Sequence, residues 1–136
     1  MEIIKIFLTL IVYIFTVDML WLGFIANSIY DNEIGLLLKK SGGNMSPNWA
    51  AAAVVYIAIA AGIMCFVLPK SQDNMYQAMI WGAVFGAVTY GIYDFTNLSV
   101  LANWSIKITL IDVAWGTVLC SSGSVIAVMM ANWLHS

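Results

Sequence analysis

Polar residues arrive in this chain in clusters. Between the clusters lie four runs of about 20 or more largely apolar residues, the length that carries an α-helix across a bilayer. The runs are Ile4–Ala26, Pro47–Leu68, Met75–Asn97 and Ile106–Trp133. The breaks carry turn chemistry. Ser41-Gly42-Gly43-Asn44 reads as a flexible turn, and Pro47 suits the first turn of the second helix. Leu68 to Asn74 ends that helix in a short polar connection, and Asn97 to Ser105 forms the last one. The first run is longer than the ~7–15 apolar residues of a secretory signal and is read as a retained helix. The pattern predicts an all-α, polytopic membrane protein: a single membrane domain over residues 1–136, with four transmembrane helices arranged as two hairpins.

Residues 28–40 are too short and too charged to cross. Ile29, Ile34, Leu37 and Leu38 fit one side of a short interfacial helix, with Lys39 and Lys40 reaching headgroups, although an ordinary loop packed on the bundle fits as well.

Composition sharpens this picture. Of the 136 residues 62% are hydrophobic and 9% charged, where a soluble domain carries about 25% charged residues. The chain has five lysines, no arginine and a net charge of −2. With no basic stripe, nucleic acid is not an expected partner, whereas the lipid bilayer is. Lys39, Lys40 and Lys107 fall on one side of the bundle and Lys5 and Lys70 on the other, a slight lean towards the first side being cytoplasmic. Cys65 and Cys120 lie in apolar runs and read as inert buried thiols. With His135, a solvated tail group, they make a poor ligand set, so no metal and no cofactor is expected.

Three aspartates, Asp18, Asp94 and Asp112, sit inside the apolar runs. An acid in hydrocarbon is costly and marks a site by default. At about 1.5 Å of helix rise per residue, all three lie ~5–12 Å below the same membrane face. Asn27, Asn48, Tyr93, Trp49 and Trp104 belong to that side as well. Tyr90, Asp94 and Asn97 follow at i, i+4 and i+7, one stripe of the third helix. Asp18 and Trp21, like Asp112 and Trp115, are i, i+3 neighbours, which sets an indole beside each carboxylate. Gly82, Gly86 and Gly116 supply small faces for close helix packing. Trp49, Trp104 and Trp133, at run ends, read as an interfacial belt, and Trp81 as packing without polar company. Asp18-x3-Leu22-x3-Ala26-Asn27 recurs as Asp94-x3-Leu98-x3-Ala102-Asn103, as two repeated hairpins would give.

Asp18, Trp21, Tyr90, Asp94, Asn97, Asp112 and Trp115 are therefore the candidate ligand-binding residues. Three readings of them stay open. The acids pin the bundle through hydrogen bonds, with at least one proton shared at neutral pH. Alternatively, acids and aromatics form a cavity for a cation, a proton-coupled solute or a lipid headgroup, binding or transporting a small cationic or lipid-like molecule. In the third, two carboxylates activate water in a membrane enzyme, but no catalytic set can be assigned. No Gly-rich phosphate cradle or metal-ligand cluster appears, although three acids could hold a hard cation. A solute pathway in a chain of this size would call for a homodimer.

Asp18-Met-Leu-Trp21-Leu-Gly23, Pro47-Asn48-Trp49-Ala50, Tyr93-Asp94-Phe-Thr96-Asn97-Leu98 and Asp112-Val-Ala-Trp115-Gly116-Thr117 occur in this order. In these motifs the chain resembles a bacterial family of small four-helix integral membrane proteins catalogued as a domain of unknown function. The resemblance implies a multi-pass protein of the bacterial inner (cell) membrane, and that Asp18, Trp21, Asp94, Asn97, Asp112, Trp115 and Gly116 matter. It implies no activity. An association of such families with lipid-modification genes suggests the lipid variant, an enzyme or accessory protein in lipid modification.

Overall fold

The computed structural model describes all 136 residues, and most of them are helical. Helix α1, Glu2–Leu20, widens into a π-helical turn at Trp21–Ile25. Helix α2, Asn27–Ile34, closes with a 3-10 turn at Gly35–Leu37. Helix α3, Trp49–Gly62, runs through a second π-helical turn, Ile63–Val67, into the short α4, Leu68–Ser71. Helices α5, Met75–Val100, and α6, Ile106–His135, complete the chain.

Local chemistry explains the starts of the long helices. The side chains of Asn48, Asn74 and Ser105 accept from the amides of Ala51, Gln77 and Ile108, capping α3, α5 and α6. Pro47 therefore lies one residue before a cap rather than in the first helical turn. Pro69 does not stop the second apolar run at Leu68, because the helix continues to Ser71. Proline has no N–H and its ring crowds the carbonyl four residues back, and the π-helical turn Ile63–Val67 opens the backbone at that point. Gln72 and Asp73, with φ of 49° and 58°, then turn the chain into α5. Ser41 to Asn44 is a β-hairpin rather than a flexible turn. Strand β1, Lys40–Ser41, pairs antiparallel with β2, Asn44–Met45, Lys40 opposite Met45. The connecting Gly42 and Gly43 have φ of 60° and 83°, the left-handed pair that a two-residue hairpin turn needs.

Three helices are long and apolar enough to cross a membrane: Glu2–Ile25, Trp49–Ser71 and Ile106–His135, with mean hydropathies of 2.2, 2.6 and 1.7. Length does not separate α5 from them, since its 26 residues extend about 39 Å. What separates it is the dilution of its apolar residues by Tyr90, Tyr93, Asp94, Asn97 and three glycines. The outer surface is also apolar. Val12, Val54, Phe66, Ile92 and Val118 are among many large side chains left more than half exposed. Contiguous exposure on this scale suits lipid rather than water as the solvent.

Helix α6 is the central element. Its Leu119, Cys120 and Ala127 pack with Leu10 and Ile14 of α1 and with Ile59, Ala60 and Ile63 of the α3 region. Helix α5 lies along it at backbone contact. A Cβ added at Gly82 would come within 2.6 Å of the Cys120 carbonyl, and one at Gly86 would collide with the Gly116 carbonyl. These are the small faces expected from the glycine spacing. The repeated Asp-x3-Leu-x3-Ala-Asn spacing does not repeat in conformation. The first copy runs through the π-helical turn into α2, whereas the second stays helical to Val100. Cys120 is buried but Cys65 is exposed on the apolar outer surface.

Candidate functional site

The three carboxylates lie where α1, α5 and α6 come together beneath α2 and the hairpin. Asp18 closes α1 from inside, 8% exposed. Its two oxygens are each satisfied by a different helix. The Tyr56 hydroxyl donates to Oδ2 at 2.7 Å and the Trp115 indole N–H to Oδ1 at 2.9 Å. Asp112 accepts a 2.5 Å hydrogen bond from the Tyr30 hydroxyl, which faces the Trp21 indole N–H at 3.5 Å.

The indoles therefore do not serve the acids on their own helices. Trp115 bonds to Asp18 rather than to its i−3 neighbour Asp112, and Trp21 turns towards the tyrosine that holds Asp112. The two rings stack, centroids 4.5 Å apart and planes 7° from parallel. Trp21 is the first residue of the π-helical turn, and its ring meets that of Trp115 from α6. One element thus runs Asp18, Trp115, Trp21, Tyr30, Asp112 across three helices. Stacked aromatic pairs add roughly 0.5–1.5 kcal/mol beyond area burial.

Asp94 differs from both. It is 0% exposed, and no donor reaches either oxygen. The group it faces across the α5–α6 contact is the Asp112 carboxyl. No lysine or histidine pairs with any of the three acids. The ion pairs are Lys40–Asp31, Lys107–Glu33 and His135–Glu2, all towards the surface. The three carboxylates do not converge into a group that could hold a metal ion.

Above this layer is a cavity of about 280 Å³. Asp18 and Asp112 are its acidic groups, Tyr90, Tyr93 and Trp104 its aromatic walls, and Tyr30, Leu38 and Met45 its cover. The cover comes from the segment expected at the interface. Helix α2 folds over the bundle on Tyr30 and Ile34, which pack with Ala26 and Ile108. Glu33 fixes it to the start of α6, accepting from the Ser105 hydroxyl at 2.5 Å with Lys107 at 3.7 Å. Burial, followed by the Asp112 charge, holds the Tyr30 phenol well above its ordinary pKa, so it remains a donor.

Of the seven candidate residues, Asp18, Tyr90 and Asp112 line the cavity. Trp21 and Trp115 stand behind it as the stacked pair, and Asp94 lies behind Asp112. Asn97, one turn beyond Asp94, does not line it. Two donors were missed by sequence reasoning. Tyr56 is the single hydrogen-bonding side chain between Ala50 and Ile63, and a lone hydroxyl in an aliphatic run was the available signal. Tyr30 was hidden among the leucines of a segment read as peripheral. Trp104, assigned to the belt, also forms a cavity wall, where it meets Tyr93 edge to face at 6.1 Å and donates to Thr109 at 3.1 Å. Trp81 does have polar company, the Lys70 ammonium 4.6 Å above its ring.

A family model described as "Predicted membrane protein (DUF2177)" matches residues 3–129, and the chain belongs to that family. No curated protein and no solved structure matches it.

Proposed function

We propose that this member of the DUF2177 family binds, and moves or presents, a small cationic or lipid-like molecule in the cavity between Asp18, Asp112 and the Tyr90–Tyr93–Trp104 wall. The observation that carries this reading is the pairing of two carboxylates with three aromatic rings around one space of about 280 Å³. That volume is near the low end of ligand pockets, about 300–1,000 Å³. The composition suits a quaternary ammonium group. Carboxylates supply the countercharge, and ring faces attract a cation by about 0.5–2 kcal/mol each, more where water is excluded. Free choline and a choline headgroup offer the same chemistry. In this reading α5 is a fourth span, its diluted hydropathy being the cost of the site it carries, and α1–α3 and α5–α6 form two hairpins in a bacterial inner membrane. A homodimer would extend the cavity into a pathway.

The test is binding by the full chain in nanodiscs, followed by tryptophan fluorescence, with choline against its neutral isostere 3,3-dimethylbutanol. Choline is expected to bind at least tenfold more tightly, equivalent to about 1.4 kcal/mol. Asp112→Asn should remove that preference. Equal affinity for the two probes overturns the cationic reading. Choline uptake by proteoliposomes then separates transport from presentation of a lipid headgroup.

A second reading is favoured by Asp18 itself. Its two good hydrogen bonds tie α1 to α3 and α6, which is what a purely structural acid would do. An enzyme or accessory protein in lipid modification would use the same cavity, with the headgroup as substrate.

A further inference from the structure

Asp94 is the one buried polar side chain whose atoms have no hydrogen-bond partner. Tyr56 and Trp115 satisfy Asp18, and Tyr30 satisfies one oxygen of Asp112. The carboxyl beside Asp94 is that of Asp112, which lines the cavity. Two facing carboxylates repel if both are charged, and an unpaired buried charge is among the most costly groups a protein can hold. One proton between them removes both penalties, because an acid O–H can donate to a carboxylate in a short, strong bond. The surroundings supply no other countercharge. The groups facing the pair are Tyr30 from α2, Asp18 from α1, and Tyr90 and Tyr93 from α5 itself, all acids or phenols.

We infer that Asp94 and Asp112 hold one exchangeable proton between them and that a cation entering the cavity displaces it. This rests on the cavity reading above. With the cavity empty, the Asp94 acid donates to the Asp112 carboxylate, and the pair carries one negative charge. When a monovalent cation settles beside Asp112, its charge replaces the proton's. The proton passes from Asp94 to Asp112 and leaves through the cavity that Asp112 lines. Two carboxylates and one cation again carry one negative charge, so the exchange is electroneutral, one proton out for one cation in. Asp94 is the buried store and Asp112 the relay. The arrangement would couple occupancy of the cavity to a proton gradient.

The test uses the full chain in nanodiscs with choline as the probe. Infrared difference spectra should contain a protonated-carboxyl C=O band at neutral pH that is absent from Asp94→Asn and bleaches as choline saturates. A weakly buffered medium with a pH dye should register close to one proton released per choline bound. Wild-type affinity should weaken about tenfold for each pH unit lowered, the slope of a one-proton exchange, and Asp94→Asn should flatten that slope. The wild-type slope and proton count need no variant, so the inference is open to refutation even if Asp94→Asn does not fold. Choline binding with a flat pH dependence, or with the acid band unchanged, overturns the exchange and leaves the cavity reading intact. Absence of choline binding at every pH overturns the cavity reading and the exchange together.

Discussion

Replacing Gly86 with alanine tests whether the α5–α6 contact is what brings Asp94 to Asp112. A Cβ at Gly86 would collide with the Gly116 carbonyl of α6 and approach within 2.9 Å of the Cys120 Cβ. The obstacle is backbone, which has no rotamer to swing aside, so the helices must part. Overpacking of this kind costs about 1–3 kcal/mol, and a rigid carbonyl puts this site towards the upper end. Against it stands the gain of about 1 kcal/mol from alanine over glycine within a helix. The expected net loss is therefore about 1–2 kcal/mol. Gly91, on the same helix, provides the control, because an added Cβ there meets nothing within 4 Å. Gly91→Ala should be neutral or stabilise by up to about 1 kcal/mol. Unfolding by sodium dodecyl sulfate from mild-detergent micelles, followed by circular dichroism, would read both. Gly86 is eight residues before Asp94, about 12 Å along the axis, so parting the helices there should also spoil the carboxyl pair. Equal stability of the Gly86→Ala and Gly91→Ala proteins would refute the close approach and, with it, the route by which the acids are placed.

Two further outcomes follow from named contacts. Tyr56→Phe and Trp115→Phe each remove one donor to Asp18, and each should cost about 1.5–3 kcal/mol by the same unfolding measurement, as for hydrogen bonds to a charged group. The double variant, which leaves the acid with neither, should differ from the sum by more than about 0.5 kcal/mol, and simple additivity would show that the two donors do not share an acceptor. If α5 spans the membrane, single cysteines at Met75 and Ala102, in a Cys65→Ala background, should react with an impermeant maleimide from opposite faces of sealed vesicles. Labelling of both from one face would remove the fourth span.

The helices were legible in the sequence because lipid imposes one strong rule, about 20 apolar residues per crossing. The three acids were legible for the same reason, as exceptions to it. Counting helical rise placed them in one layer, and the structure brings Asp18 and Asp112 to one cavity with Asp94 directly behind. What could not be read was which partner each acid takes. Spacing at i, i+3 gives proximity on one helix, whereas Trp115 reaches Asp18 across a helix interface. Nor does Trp-Leu-Gly-Phe-Ile announce the π-helical turn at Trp21–Ile25. The role of α2 was lost in a similar way. Its apolar positions fitted a surface helix or a loop packed on the bundle equally well; it is a helix on which Tyr30 and Ile34 turn inward, and Glu33 finds Ser105 and Lys107 more than 70 residues away in sequence. Such long-range pairings follow from topology, not from local pattern.

The acids also differ in how completely the protein satisfies them, and the difference separates structural from functional roles more sharply than their positions do. Asp18 has a donor on each oxygen from two different helices, so its placement returns stability for the cost of burying it. Asp112 has a donor on one oxygen and opens to the cavity. Asp94 has none and is wholly enclosed. A bundle selected only for stability would do better with a leucine or asparagine at position 94, because breaking or omitting partners of a buried charge costs about 3–5 kcal/mol while an apolar replacement of similar volume is often neutral or favourable. In the proposed exchange, the proton shared with Asp112 is what accounts for an acid at this position with no other partner. The structural reading accounts for Asp18 and stops short of Asp94, and the least satisfied of the three acids is where the chemistry of this protein is best sought.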